Sequence, residues 1–88
     1  MKHRYLEVTF RKGKPFAAYL YLPRPTGCRV ARTLDAGQGI HVDIDERNTP
    51  IGIEITAPGT VTAADVNAVL VKHGLEALES DDWAPLAA

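Results

Sequence analysis

Eighty-eight residues with 45% apolar and 24% charged side chains describe one small folded domain, too short for a separate catalytic domain and too apolar for a disordered tail. No apolar run approaches the roughly 18 residues of a membrane helix, and charged residues interrupt "MKHRYLEVTF" where a signal peptide needs its apolar stretch, so a cytoplasmic protein is expected. The net charge of −1 hides a division: residues 1–32 hold eight Lys or Arg against Glu7 alone, whereas residues 33–88 hold two against ten acids. Such a division suits either a nucleic-acid surface or two halves that neutralise each other in one sheet, and the second is favoured because dedicated nucleic-acid domains carry net basic charge.

Taken in chain order, "YLEVTFR" alternates with period two, Leu6, Val8 and Phe10 on one face and Tyr5, Glu7, Thr9 and Arg11 on the other. "KGKP" turns the chain, and "FAAYLYL" continues the alternation with Phe16, Ala18, Leu20 and Leu22 opposite Tyr19 and Tyr21. After the loop "PRPTG", Arg29 to Asp35 reads as a third strand in which Val30 and Leu34 want the core while Arg32 lies between them, which signals a bulge or an edge. "GQG" leads into Ile40, Val42 and Ile44, and Ile51, Ile53 and Ile55 repeat the phase after "ERNTP". "TAADVNAVLVKHG" is a helix over 62–74, with Thr62 and Asp65 placed for a capping box and Gly74 for its end. Residues 75–88 form a tail in which Pro85 opposes a long helix. The expected fold is α+β: a single domain, 1–88, with an antiparallel sheet of about five strands and one C-terminal helix on the face of Leu6, Val8, Phe10, Leu20, Val42, Ile44, Ile53 and Ile55.

Three carboxylates stand out in "HVDIDERNTPIGIEI". Asp43 and Asp45 are two residues apart on one strand face, and with Glu54 or His41 they are the candidate metal ligands. The competing reading is conformational: Asp45 ahead of "ERN" bonds the amides of a turn in which Asn48 takes the left-handed position. The turn reading explains the spacing with fewer assumptions, so no metal, cofactor or catalytic residue is expected. A chain with one serine, Ser80, and one cysteine, Cys28, offers few nucleophiles and no internal disulfide. Cys28 beside Arg29 could have a lowered pKa but has no histidine near it in sequence. His73 is placed to favour the negative end of its helix.

The run through Asp43, Asp45, Asn48, Gly52, Ile53, Glu54 and Ile55, preceded by "AAYLYL" and a strand ending in "ARTLD", resembles the small bacterial family known as domain of unknown function 2283, over roughly residues 5–57. Asn48 stands where that family usually has glycine. The resemblance implies an antiparallel sheet module with no established activity, and an antitoxin-like or partner-binding role by association with small toxin-like genes.

Tyr5, Tyr19, Tyr21 and Arg11 are expected on the sheet face away from the helix, a pattern shared by single-stranded nucleic-acid modules and dimer interfaces. Trp83 either docks on a partner or packs the tail onto its own domain. The favoured function is a non-enzymatic, self-associating interaction module, with metal or small-ligand binding as the alternative and nucleic-acid binding third.

Overall fold

The computed structural model describes residues 3–87. Five strands, β1 (Tyr5–Arg11), β2 (Lys14–Tyr21), β3 (Arg32–Asp35), β4 (Ile40–Ile44) and β5 (Pro50–Ile55), form one sheet in the order β1-β2-β5-β4-β3, every pair antiparallel. A 3-10 turn (Pro58–Thr60) and two helices follow, α1 (Ala63–Lys72) and α2 (Ser80–Ala87). Among the described residues no helix is long and apolar enough to cross a membrane.

The strand order follows from where apolar side chains are densest. Leu20 of β2 and Ile53 of β5 lie in register, as do Val42 of β4 and Ile53, so the most apolar strands occupy the centre and bury these three residues completely. β3, with Arg32, Thr33 and Asp35, and β1 take the two edges. Leaving β2 for β3, the chain must pass the ends of β5 and β4. That is three strand spacings, about 14 Å, well within reach of the segment 22–31.

The helices cover one face. Val66 and Leu70 of α1 are fully buried against Leu6, Ala18, Leu20, Ile40, Val42, Ile44, Ile53 and Ile55. Thr62 and Asp65 complete the capping box reciprocally, the Asp65 amide donating to Thr62 Oγ1 and the Thr62 amide to Asp65 Oδ2. At the far end Gly74 is left-handed, φ 76°, its amide donating to Val71 O, while the Leu75 amide reaches back to Leu70 O at 2.9 Å. This pair of bonds closes the helix and folds Leu75 onto the core.

Two expectations are corrected. The segment 75–88 is not a plain tail after a single helix: it contains α2, which accommodates Pro85 in its interior. Its hold is tertiary, because Trp83 and Leu86 pack against the core cluster and offset the hydrogen bond that proline cannot make. Arg4 fastens the same segment to the start of β1, donating to Glu76 O and Ala77 O at 2.5 and 2.7 Å and lying 3.7 Å from Asp82, and Leu78 N–H donates to Asn67 Oδ1. Second, Phe10 and Phe16 are each 53% exposed rather than core residues. The β1–β2 pairing shifts register between Thr9 and Phe10, and beyond that bulge no residue of either strand joins the buried core. Val30 and Leu34 are likewise exposed at the β3 edge.

Candidate functional site

Among the described residues no helix covers the face opposite α1 and α2, and the side chains at its middle fall into two rows across the sheet. One row runs Tyr5, Tyr21, Gly52, Asp43, Thr33; the next runs Glu7, Tyr19, Glu54, His41, Asp35. Within this lattice Tyr19 leans out of its own row. Its ring crosses Gly52 and its hydroxyl donates to Asp43 Oδ2 at 2.6 Å, while Thr33 Oγ1 donates to Asp43 Oδ1 at 2.7 Å. Both oxygens of Asp43 are therefore engaged by neighbours from the strands on either side of β4 and β5. Burial, reinforced by the bond to Asp43 and by that carboxylate's charge, holds the Tyr19 hydroxyl far above the ordinary tyrosine range.

Gly52 is what permits this crossing. A β-carbon there would fall inside the envelope of the Tyr19 hydroxyl and ring edge. A glycine within a strand marks a close approach of another group, and here that group is an aromatic ring.

The three tyrosines contact one another. Tyr5 stacks on Tyr21 with centroids 4.6 Å apart, and Tyr19 meets Tyr21 edge-on at 4.7 Å. Arg24 lies over the Tyr21 ring at 5.4 Å, and the Tyr21 hydroxyl donates to Glu7 at 3.4 Å. Arg11 is not in this group: past the bulge it lies over Phe16 at 5.3 Å. Trp83 is half-buried on the helix side, packed on its own core.

The four acidic and histidine candidates separate into two arrangements. His41 faces Glu54 across the β4–β5 pair with Nδ1 3.9 Å from the carboxylate, and that buried nitrogen has no hydrogen-bond partner. Asp43 faces Gly52 rather than Glu54. Asp45 lies beyond a register shift and belongs to the turn. Its Oδ1 accepts from the amides of Arg47 and Thr49, both at 2.9 Å, and Asn48 is left-handed at φ 68°, as the turn chemistry requires. Among the described residues no three His, Cys, Asp or Glu groups come together as metal ligands.

The loop between β2 and β3 is pinned to this turn. Cys28 Sγ donates to Asp45 Oδ2 at 3.2 Å, beside a hollow of about 240 Å³ lined by Arg29 and Arg47. Burial and the Asp45 carboxylate push the thiol pKa up, not down as its neighbour Arg29 suggests, which disfavours the reactive thiolate. Asp45 moves the other way, lowered first by the Thr49 amide and then by Cys28 and Arg47. A carboxylate whose folded pKa is depressed adds stability that is present above its ordinary value of 3.8 and disappears as pH falls through the folded pKa. Asp45→Asn is accordingly expected to flatten the dependence of the melting temperature on pH below about 4, checked by thermal melts between neutral and acid pH; an unchanged slope would contradict the assignment.

Sequence reading missed Gly52, Thr33 and Arg24 as parts of this surface. The interior strand glycine was the available signal for the first; the other two depend on which strands become neighbours.

An open-faced antiparallel sheet with two helices on its other side is thus the class of structure, and its polar face is concentrated in β2, β4 and β5. The model of the family described as "Protein of unknown function (DUF2283)" matches residues 17–57, and over this stretch the chain is similar to that family. Tyr19, Asp43, Asp45, Gly52 and Glu54 all lie inside the matched segment, whereas both helices lie outside it. No curated protein and no solved structure matches the chain.

Proposed function

We propose that the protein is a non-enzymatic interaction module that self-associates and presents its tyrosine-bearing sheet face to a protein partner. The observation that carries this reading is the uncovered side of the sheet, where Tyr19, Tyr21 and Tyr5 are fixed to one another and to Asp43 and Glu7. Aromatic side chains held in one conformation lose little entropy when a partner covers them, which suits them to an interface. Two sheet edges accompany this face. The acids on the same rows, Glu7, Asp43, Glu54 and Asp35, oppose a phosphate backbone and set nucleic acid behind protein as the partner. Catalysis has no support in a face whose principal carboxylate is already bonded on both oxygens. An antitoxin-like role is one form this module could take, and the partner's identity decides it.

Sedimentation equilibrium of the full chain over a concentration series tests the reading. The mass is expected to rise from 9.6 kDa toward twice that value as concentration increases. A mass of 9.6 kDa at every concentration would remove self-association.

A further inference from the structure

The outer edge of β3 and the hollow beside it point to how two copies meet. β3 ends the strand order, so among the described residues no strand pairs with its outer side. The Ala36 amide donates to Ile40 O at 2.8 Å. By the alternation of an antiparallel ladder, Leu34 then directs its backbone groups to Val42, while Thr33 and Asp35 direct theirs outward. Leu34 itself is 37% exposed on the helix side of the sheet. It forms one wall of a hollow of about 430 Å³ whose other wall is α1, through Asp65, Ala68, Val69, Lys72 and His73. An edge strand with outward amides, flanked by a partly apolar groove under a helix, is the arrangement that accepts an added strand.

We propose that this edge receives β3 of a second copy, antiparallel, with Leu34 of each copy at the two-fold axis, so that two five-stranded sheets become one. This rests on the self-association proposed above and names its surface. A two-fold axis normal to the sheet keeps both sets of helices on one side and pairs residues of like parity: Leu34 with Leu34, and Thr33 with Asp35. The outward amides and carbonyls of Thr33 and Asp35 then meet each other, satisfying both edges. The two exposed leucines cover each other at the mouths of the grooves. Arg32 of each copy comes opposite Ala36 of the other, its guanidinium remaining bonded to Asn48 of its own chain. The alternative edge is less open. β1 is bent by its bulge, flanked by Lys12 and Lys14, and contacted by α2. Joining through β3 leaves the tyrosine faces of both copies exposed on the same side, as one surface of double width.

Cysteine cross-linking reads the register directly. Leu34 of the two copies forms a non-hydrogen-bonded pair with Cα atoms about 4.5 Å apart, inside the roughly 4.4–6.8 Å that a disulfide spans. Thr33 and Asp35 are each displaced from their own counterparts by two residues, beyond about 7 Å. In a Cys28→Ser background, Leu34→Cys is expected to oxidise to a dimer of twice the monomer mass on a non-reducing gel, while Thr33→Cys and Asp35→Cys run as monomers. Leu34→Lys in the otherwise natural chain is expected to sediment as a folded monomer with an unchanged circular dichroism spectrum. Cross-linking of Thr33→Cys in place of Leu34→Cys would overturn the register. Dimeric Leu34→Lys would overturn the β3 edge while leaving self-association standing, and a natural chain that is monomeric throughout would overturn both.

Discussion

Replacing Leu70 by alanine is expected to lower the unfolding free energy by about 3 kcal/mol, within the roughly 2–5 kcal/mol range for a buried leucine whose cavity the surroundings only partly fill. Leu70 is fully buried and belongs to the core cluster that joins α1 to the central strands. Its carbonyl also receives the Leu75 amide that closes the helix, a bond the substitution retains, so the loss reports packing. Because a domain of this size holds only about 5–15 kcal/mol in total, the melting temperature should fall by more than about 10 °C. Val71→Ala, one residue along on the 62% exposed side, is expected to change stability by no more than about 0.5 kcal/mol. Urea titration of both variants checks the contrast, and equal losses would mean that α1 does not present Leu70 to the sheet.

Gly52→Ala is expected to cost about 1–2 kcal/mol although alanine ordinarily stabilises an extended strand relative to glycine. The added methyl displaces the Tyr19 ring from its path to Asp43. Losing a hydrogen bond to a charged acceptor costs about 1.5–3 kcal/mol, and the lower backbone entropy of alanine returns about 0.5–1 kcal/mol. The same substitution disturbs the edge contact between Tyr19 and Tyr21, so the open face loses its fixed arrangement as well as some stability. A functional loss larger than the stability loss would follow if that face is the docking surface.

How far the sequence discloses such a surface can be judged from individual residues. Period-two alternation places the inward residues of β4 and β5, and those of β2 from Ala18 onward, correctly, because each strand has one face in the core and the pattern is local. The caps of α1 and the Asp45–Asn48 turn are legible for the same reason: their bonds join residues close in sequence, such as Thr62 with Asp65 and Asp45 with Arg47. What could not be read is whatever depends on neighbours distant in sequence. That β2 lies beside β5 has no periodic trace, its partners lying as far apart in sequence as Ala18 and Ile55, and together with the β4–β5 pairing it brings Tyr19 across Gly52 to Asp43. Phe10 and Phe16 keep the alternation of core residues but lie beyond the bulge, where the buried cluster no longer extends. α2 is hidden in the sequence because Pro85 argues against it locally and Trp83 secures it tertiarily. Arg29 is the charged neighbour of Cys28 in sequence, yet the group that governs the thiol is Asp45, brought close by the loop.

Underlying these expectations is the view that the open face is a built surface, its shape set by one ring lying over one glycine. The double-mutant cycle of Gly52→Ala and Tyr19→Ala, followed by urea unfolding, measures that directly. If the ring is what the glycine accommodates, Gly52→Ala destabilises the natural chain by about 1–2 kcal/mol and becomes neutral or slightly stabilising once Tyr19 is alanine. An equal cost in both backgrounds would mean that the glycine serves something other than Tyr19.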